Sequence, residues 1–271
     1  MPKIEFTKMV ATGNDFVLIN QPVASPRILA QKVCDRKYGV GADGLLLLGK
    51  SKRADVKMRV FNADGSEAEM CGNGARCAAL SVVSRKSSVV SKKILKIETK
   101  AGIVEAETRK DNVGIKLTSP KEIKLDIPIK INNRMLKVNF INTGVPHAVI
   151  FVEGLERMDV VNLGRQIRNH SKFAPRGTNV DFVEVSGNNS LKVRTYERGV
   201  EDETLACGTG AAASALLYAI RYALCAIRKI DVYTQGGEIL KIYFDRVGNN
   251  FKDVWLEGKV KIVIKRGEYY V

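Results

Sequence analysis

The chain has 271 residues, with 44 Lys and Arg against 29 Asp and Glu, and a formal net charge of +15. Hydrophobic residues make up 45% and charged residues 27%, which excludes a disordered or collagen-like protein. No signal-peptide pattern opens the sequence, and the longest uncharged stretch, Thr204 to Ile220, is too short and too polar to predict a membrane span. We therefore expect a soluble, cytoplasmic protein with no membrane partner.

The excess of basic residues has two interpretations. One is a nucleic-acid-binding surface, but the Lys and Arg residues are spread along the chain and no zinc-finger, RNA-binding or basic-heptad motif accompanies them. Between Lys121 and Lys130, basic and apolar residues alternate, which is typical of a strand with one face in solvent. We favour the second interpretation, a solvated basic surface, and expect no nucleic-acid partner.

Hydrophobic patterning predicts many strands and few helices in both halves of the chain. In chain order, the predicted strands of the first half are Ile4–Phe6, Phe16–Asn20, Gly44–Leu48, Lys57–Phe61, Leu95–Thr99, Ile103–Thr108 and Gly114–Leu117. Those of the second half are Val138–Asn142, Ala148–Val152, Asp181–Val185, Leu191–Tyr196, Ile230–Thr234, Ile239–Phe244, Val254–Lys259 and Val260–Lys265. The predicted helices are Pro26–Arg36, one after Cys71, Leu163–Asn169, and one from Gly210 to about Ile227. The last helix is apolar nearly all round, which predicts that it is buried.

One motif occurs twice. Cys71-Gly72-Asn73-Gly74-Ala75 recurs as Cys207-Gly208-Thr209-Gly210-Ala211, at an offset of 207 − 71 = 136 residues, and further segments match in the same order at similar offsets. We predict an α+β (mixed α/β) fold of two pseudo-symmetric halves, each a curled β-sheet or barrel wrapped around a central buried helix. Residues 1–119 form the half with the first Cys, residues 120–261 the half with the second, and residues 262–271 are expected to join the first half. The active site is expected in the cleft between the halves.

The repeated motif carries the candidate chemistry. Gly at two of the three positions after each Cys indicates a tight turn, and helix propensity resumes at Ala75 and Ala211. Each Cys is therefore expected at a helix N-terminus, where the partial positive charge lowers a thiol pKa and free N–H groups bind a carboxylate. Two such helix ends facing one another would place a thiol on each side of an α-carbon. That arrangement suits a two-base racemase or epimerase.

The other cysteines have a simpler interpretation. Cys34, Cys77 and Cys225 lie in apolar helical stretches and are predicted to be small buried hydrophobes. Five irregularly spaced Cys do not indicate a disulfide framework, and the spacing of Cys71 and Cys77 is not that of zinc ligands. A redox switch formed by Cys71 and Cys207 stays open as an alternative to acid/base catalysis.

Over essentially the whole chain, the motifs resemble those of the diaminopimelate epimerase family. The matching segments are Phe6–Met9, Gly13–Phe16, Gly39–Gly44, Phe61–Glu67, Cys71–Cys77, Gly177–Phe182, Glu197–Gly199 and Thr204–Gly210. The resemblance implies the interconversion of LL-2,6-diaminopimelate and its meso form, on the route to lysine and bacterial cell-wall peptide. It also implies that neither pyridoxal phosphate nor a metal is needed, and that the protein is a homodimer.

Roles follow from the resemblance residue by residue. Cys71 and Cys207 match the catalytic acid/base pair, and His147 matches an accessory His beside the site. Four residues match positions whose backbone N–H groups hold the reacting carboxylate: Gly72, Asn73, Gly208 and Thr209. Glu197 and the Arg198 backbone match the site of the α-ammonium. The residues matched to the distal carboxylate are Asn62, Asn179 and the Arg198 side chain, and Asn14 matches a further substrate contact.

The sequence departs from the family pattern at two positions and in the length of one stretch. A related activity also remains as an alternative. Val145 stands where the family often has Asn, Gly44 where Gln is frequent, and the stretch from Glu197 to Cys207 is one residue longer than the common form. A proline or hydroxyproline racemase shares the two-thiol logic. Its substrate has no distal carboxylate and ammonium, so it would leave Arg198, Asn62 and Asn179 without a partner.

Overall fold

A computed structural model describes residues 3–85, 94–222, 227–248 and 250–270. Within it the chain divides into two compact units, one formed by the residues up to Lys116 together with those from Gly258 onward, the other by Leu117–Glu257. The last turns predicted for the helix after Cys207, with Cys225, extend outside the described residues.

The first unit consists of a mixed sheet, a buried helix and a peripheral helix. Its elements are β1 (Lys3–Ala11), β2 (Asn14–Ile19), α1 (Pro26–Cys34), β3 (Gly44–Gly49), β4 (Val56–Asn62), β5 (Glu67–Ala68), α2 (Gly72–Arg85), β6 (Leu95–Thr99), β7 (Gly102–Arg109) and β8 (Asn112–Lys116). Strands β2 and β3 are parallel, as are β4 and β6. The antiparallel pairs are β1–β2, β3–β4, β4–β5, β6–β7 and β7–β8.

The second unit repeats this plan. Its elements are β9 (Lys121–Ile131), β10 (Arg134–Asn142), β11 (Pro146–Phe151), α3 (Val160–Arg168), β12 (Asn179–Gly187), β13 (Ser190–Glu197), β14 (Asp202–Thr204), α4 (Gly208–Arg221), β15 (Lys229–Thr234), β16 (Ile239–Val247) and β17 (Asn250–Tyr270). Here β11 and β12 are parallel, as are β13 and β15. The antiparallel pairs are β10–β11, β12–β13, β13–β14, β15–β16 and β16–β17. The order of pairings and the places of the helices are the same as in the first unit.

Each unit is built around one buried helix, because small side chains allow the surrounding strands to approach it. Helix α4 is buried at every position from Gly210 to Ile220, and α2 buries most of its first half, including Ala75 and Cys77. The predicted α+β fold of two pseudo-symmetric halves, each a curled sheet around a central helix, is confirmed. Cys34 and Cys77 are 2% and 0% exposed, as predicted for buried hydrophobes.

The observed elements differ from the predicted ones mainly at their ends. Helix α3 begins earlier than the predicted Leu163 because the Asp159 side chain accepts a hydrogen bond from Asn162 N (3.1 Å) and caps its first turn. The two strands predicted between Val254 and Lys265 are a single strand, β17. Its last part lies in the first unit, where it pairs antiparallel with β1.

A duplicated ion pair braces the hairpin that precedes each repeated Cys. Arg59 on β4 donates to both carboxylate oxygens of Glu67 on β5 (2.8 and 3.1 Å). Arg194 on β13 donates in the same way to Glu203 on β14 (2.7 and 2.7 Å). Bidentate pairs of this kind fix geometry as well as charge, so they hold the ends of β5 and β14 four residues before the cysteines.

Candidate functional site

Cys71 lies directly before the first turn of α2, as the sequence predicts. Its carbonyl accepts a hydrogen bond from Ala75 N (2.8 Å), and its Sγ accepts one from Gly74 N (3.4 Å). As a residue Cys71 is partly exposed, as is Cys207. The two hydrogen bonds hold the backbone and the thiol of Cys71 at the helix start.

The residues beside Cys71 are tied together by a polar network. Asn73 donates through Nδ2 to Asn14 Oδ1 (2.6 Å), and its Oδ1 accepts from the guanidinium of Arg76 (2.5 Å). Arg76 is fully buried and also donates to Thr12 Oγ1 (2.6 Å). Asn14 in turn donates to Asp43 Oδ2 (3.2 Å). Of the residues predicted to bind substrate, Asn14 and Asn73 are thus in direct contact beside the first Cys.

Cys207 stands at the equivalent place before α4 and is connected to buried polar groups. Its carbonyl accepts from Ala211 N (2.9 Å), and its Sγ lies 3.4 Å from Thr209 Oγ1. Thr209 Oγ1 lies 2.9 Å from Nε2 of His147, whose Nδ1 lies 2.7 Å from Asp181 Oδ2. His147 and Asp181 are both 0% exposed. His147 and Thr209, both predicted site residues, are therefore in contact.

The helix start lowers the pKa of the Cys207 thiol as predicted, but the net shift of that pKa is upward. Burial raises the pKa of Cys207, and the carboxylates of Glu197 and Asp181 raise it further, whereas the contact with the Thr209 hydroxyl and a hydrogen bond from the Gly210 backbone lower it. The helix N-terminus is present, but removal from water and two nearby negative charges outweigh it. Burial also raises the pKa of the Glu197 carboxyl, against the effect of a hydrogen bond with Thr204.

Two of the predicted binding residues hold backbone in place. Asn179 is 4% exposed; its Nδ2 donates to Pro146 O (3.0 Å), and its Oδ1 accepts from Arg198 N (2.9 Å). It thereby fixes Arg198, the residue that follows Glu197 at the end of β13. The Arg198 guanidinium donates to Arg176 O (3.4 Å).

Asn62, predicted to bind the distal carboxylate, lies at an exposed turn of the first unit. Its Nδ2 donates to Ser66 Oγ (2.9 Å), and its backbone N–H donates to Ser66 O (2.9 Å). The contacts shown are those of a turn, where Asn is common.

Sequence reasoning missed the role of Asp181. Its Oδ1 accepts a hydrogen bond from Thr195 Oγ1 (2.7 Å), so both of its oxygens are used inside the unit. A signal was present, because Asp is rare inside strands and Asp181 stands between the apolar residues Val180 and Phe182.

The described ranges contain no group of three or more His, Cys, Asp or Glu placed to hold a metal ion. Nor does any helix within those ranges combine the length and the apolar character needed to cross a membrane.

Solved structures with the same fold come from isomerase and racemase families. A phenazine biosynthesis protein of the PhzF family from Bacillus anthracis superposes with a TM-score of 0.75 at 17% identity, covering 100% of both chains. A probable proline racemase from Agrobacterium radiobacter K84 gives a TM-score of 0.72 at 14% identity, covering 99% of this chain and 92% of that one. At these identities the likeness shows the fold.

Sequence comparison identifies the family. The diaminopimelate epimerase family model matches residues 6–122 and 139–263. The diaminopimelate epimerase of Methanocella arvoryzae is 45% identical over 255 residues, 88% of this chain and 89% of that one. That of Aquifex aeolicus is 41% identical over 277 residues, 95% of both chains. The chain belongs to the diaminopimelate epimerase family, and the resemblance found in its motifs is confirmed. It is an isomerase of the epimerase class.

Proposed function

We propose that this protein interconverts LL- and meso-2,6-diaminopimelate without a cofactor, with Cys71 and Cys207 as its acid/base pair. Family membership supports the substrate. The observation that carries the mechanism is that two topologically equivalent cysteines each directly precede the first turn of a 14-residue helix.

The proposed chemistry is a proton exchange at one carbon. A thiolate removes the α-proton, so that an S–H bond forms and the electron pair of the C–H bond stays on the α-carbon. The opposite thiol then gives its proton to the other face of that carbon and is left as a thiolate. Free N–H groups of Gly72, Asn73, Gly208 and Thr209 would hold the reacting carboxylate and stabilise the charge that develops beside it.

The remaining residues would orient the substrate. Glu197 and the Arg198 backbone would bind the α-ammonium, and the Arg198 guanidinium the distal carboxylate, for which its planar fork is suited. Asn14 and Asn62 would add contacts, while Asn179 would act by holding the Arg198 backbone (2.9 Å). The raised pKa of Cys207 supports the thiol form for this residue and hence the role of proton donor in the resting protein.

Proton NMR of LL-diaminopimelate in heavy water tests the reaction. With reduced protein and no added cofactor, we expect loss of the α-proton signal together with appearance of the meso isomer. Cys71→Ser and Cys207→Ser should each abolish conversion, whereas Cys34→Ala, in a buried position away from the helix starts, should retain it. Conversion by either Ser variant at a near-normal rate would exclude the two-thiol mechanism. Turnover of proline with none of diaminopimelate would favour the racemase alternative.

The proposal has three further parts, of which the homodimer and the pathway rest on the family resemblance and the location on the sequence analysis. We propose a homodimer, a cytoplasmic location, and a place on the route to lysine and cell-wall peptide. Sedimentation equilibrium, cell fractionation, and growth of a strain that lacks this epimerase on unsupplemented medium test these statements one by one.

A further inference from the structure

Five side chains of the second unit form one hydrogen-bonded chain that ends at a thiol. Its links join Cys207 Sγ to Thr209 Oγ1 (3.4 Å), Thr209 Oγ1 to His147 Nε2 (2.9 Å), His147 Nδ1 to Asp181 Oδ2 (2.7 Å), and Asp181 Oδ1 to Thr195 Oγ1 (2.7 Å). His147 and Asp181 are 0% exposed, and Thr195 is 3% exposed. The inner links are therefore shielded from exchange with water.

The chemistry of the partners sets the direction of this chain. An Asp carboxylate only accepts hydrogen bonds, so the hydrogen between Asp181 and His147 belongs to Nδ1 of the imidazole. When the imidazole is neutral, Nε2 accepts and the Thr209 hydroxyl donates to it, whereas an imidazolium would donate from Nε2. That hydroxyl has one hydrogen, and its oxygen is left to accept from the S–H of Cys207.

We propose that Asp181, His147 and Thr209 are positioning residues that hold Cys207 as a neutral thiol with its S–H directed at Thr209. The proposal rests on the proposed function for its catalytic meaning, since it prepares Cys207 to act as the acid. No proton leaves Sγ until it is given to the α-carbon. The Thr209 hydroxyl then turns to donate to the new thiolate, gives up its hydrogen bond to His147, and turns back when Sγ regains a proton.

The start of α4 is shaped to fit this chain. A Cβ on Gly210 would overlap Asp181 Oδ1 and lie 3.3 Å from Cε1 of His147, so only Gly lets the helix start close over the pair. Thr143 Oγ1 donates to the backbone oxygen of Thr209 (3.1 Å), which fixes that residue independently of its hydroxyl. The Thr209 side chain is thus free to be tested without loss of this backbone anchor.

The first unit has hydrocarbon at the equivalent positions. Phe16 on β2 pairs with Gly44 on β3, as His147 on β11 pairs with Asn179 on β12, so Phe16 corresponds to His147. Leu46 lies two residues after Gly44 and Asp181 two residues after Asn179, so Leu46 corresponds to Asp181. A Cβ on Gly74 would meet Leu46 Cδ2 at 3.0 Å, as one on Gly210 would meet Asp181. The two repeated cysteines therefore stand in unlike surroundings, and their thiols are expected to differ in pKa.

Two carboxylates and one imidazole face the Cys207 site from neighbouring strands: Asp181 on β12, Glu197 on β13 and His147 on β11. Asp181 can act on the thiol through the chain and through space, whereas Glu197 has no place in the chain. Glu197 is thus the matched control for a purely electrostatic effect.

The first test reads the direction of the chain in the free protein. The sequence has two His, so His170→Asn leaves His147 as the sole source of imidazole signals in a ¹⁵N spectrum. We expect the tautomer with hydrogen on Nδ1 and a bare Nε2. Hydrogen on Nε2 of His147, alone or in an imidazolium, would make Nε2 donate to Thr209 and turn the Thr209 hydroxyl towards Cys207 Sγ, which would overturn the proposal.

The second test reads the Cys207 thiol by its rate of alkylation with iodoacetamide against pH, followed by peptide mass spectrometry. Asp181→Asn should lower the pKa of Cys207 and raise its alkylation at pH 7.5 by about tenfold, which corresponds to one pKa unit. When Thr209 is replaced by Val, Asp181→Asn should raise the alkylation of Cys207 less than about threefold, because the hydroxyl that links the two is gone. When Thr209 is replaced by Ser, which keeps a hydroxyl, Asp181→Asn should again raise it by about tenfold. Glu197→Gln should act equally in all three backgrounds.

An Asp181→Asn effect that is the same with and without the Thr209 hydroxyl would show that the carboxylate acts through space alone, and the proposal would fail. Both tests are made on the protein without substrate. Failure of the proposed epimerisation in the heavy-water assay is therefore a separate result and cannot be mistaken for failure of this inference.

Discussion

Replacing Gly210 by Ala tests how closely the start of α4 is fitted to the buried pair beneath it. The added Cβ would overlap Asp181 Oδ1 and lie 3.1 Å from its Cγ. Asp181 cannot yield easily, because it is 0% exposed and its oxygens hold His147 and Thr195 at 2.7 Å each. The equivalent change in the first unit, Gly74→Ala, meets the end of a flexible side chain, Leu46 Cδ2, at 3.0 Å.

The difference between the two variants can be estimated from these contacts. Overpacking costs about 1–3 kcal/mol, and a weakened hydrogen bond to a buried charge costs about 1.5–3 kcal/mol. The better helix propensity of Ala returns about 1 kcal/mol in both variants. We expect Gly210→Ala to lower the free energy of unfolding by about 3 kcal/mol and Gly74→Ala by about 1 kcal/mol or less.

Urea unfolding followed by circular dichroism measures both free energies, provided that the m-value stays the same. Epimerase activity should fall with Gly210→Ala, because His147 loses its fixed partner, and should change less with Gly74→Ala. Equal stabilities for the two variants would refute the argument that Asp181 is rigidly held.

Three further predictions concern other parts of the molecule. Glu203→Gln should destabilise the protein by about 2 kcal/mol, because it leaves the Arg194 side chain, which is 14% exposed, without its carboxylate. Glu67→Gln should destabilise it by about 1 kcal/mol, because the Arg59 side chain is 41% exposed and water can replace the carboxylate. Chemical denaturation measures both free energies of unfolding. Burial raises the pKa of Asp15, but hydrogen bonds from an arginine and a lysine outweigh it and bring the pKa to about 2. Because this pKa lies below the ordinary value, the Asp15 carboxylate stabilises the fold above about pH 4 and the contribution is lost as the pH falls towards 2; Asp15→Asn should flatten the stability profile in that window, and an unchanged profile would contradict the assignment. Arg198→Ala should raise the KM for diaminopimelate about tenfold or more with a smaller effect on kcat, as expected for a lost bidentate contact, and an unchanged KM would mean that the distal carboxylate is held elsewhere.

The architecture was predictable because duplication leaves a signal along the whole chain. The motif at Cys71 and Cys207 fixed where each half has its buried helix, and the strands around it followed from alternation of apolar and polar residues. Short elements were missed, since β5 and β14 have two and three residues and no periodicity can be read over such lengths. Boundaries such as the start of α3 depend on one capping side chain, Asp159.

The surroundings of the site were less predictable, because they depend on residues brought together by the fold. His147 and Asp181 are 34 residues apart and meet only because β11 and β12 lie side by side. The positive end of α4 can be read from sequence, but the burial and the carboxylates that raise the pKa of Cys207 cannot. Local sequence therefore predicted the position of the thiol but not the net direction of its pKa shift.

The path of β17 has a consequence for how the protein is made. This strand leaves the second unit after Glu257 and then pairs Val260 with Ala11 and Tyr270 with Lys3. A ribosome releases β1 early, but the neighbour that covers one side of it emerges only after the whole second unit has been synthesised. Pairings between such distant segments form slowly, and an uncovered strand edge invites association with other chains. The unit that is translated first is therefore the last to be completed, and its early strands are where a nascent chain would need protection.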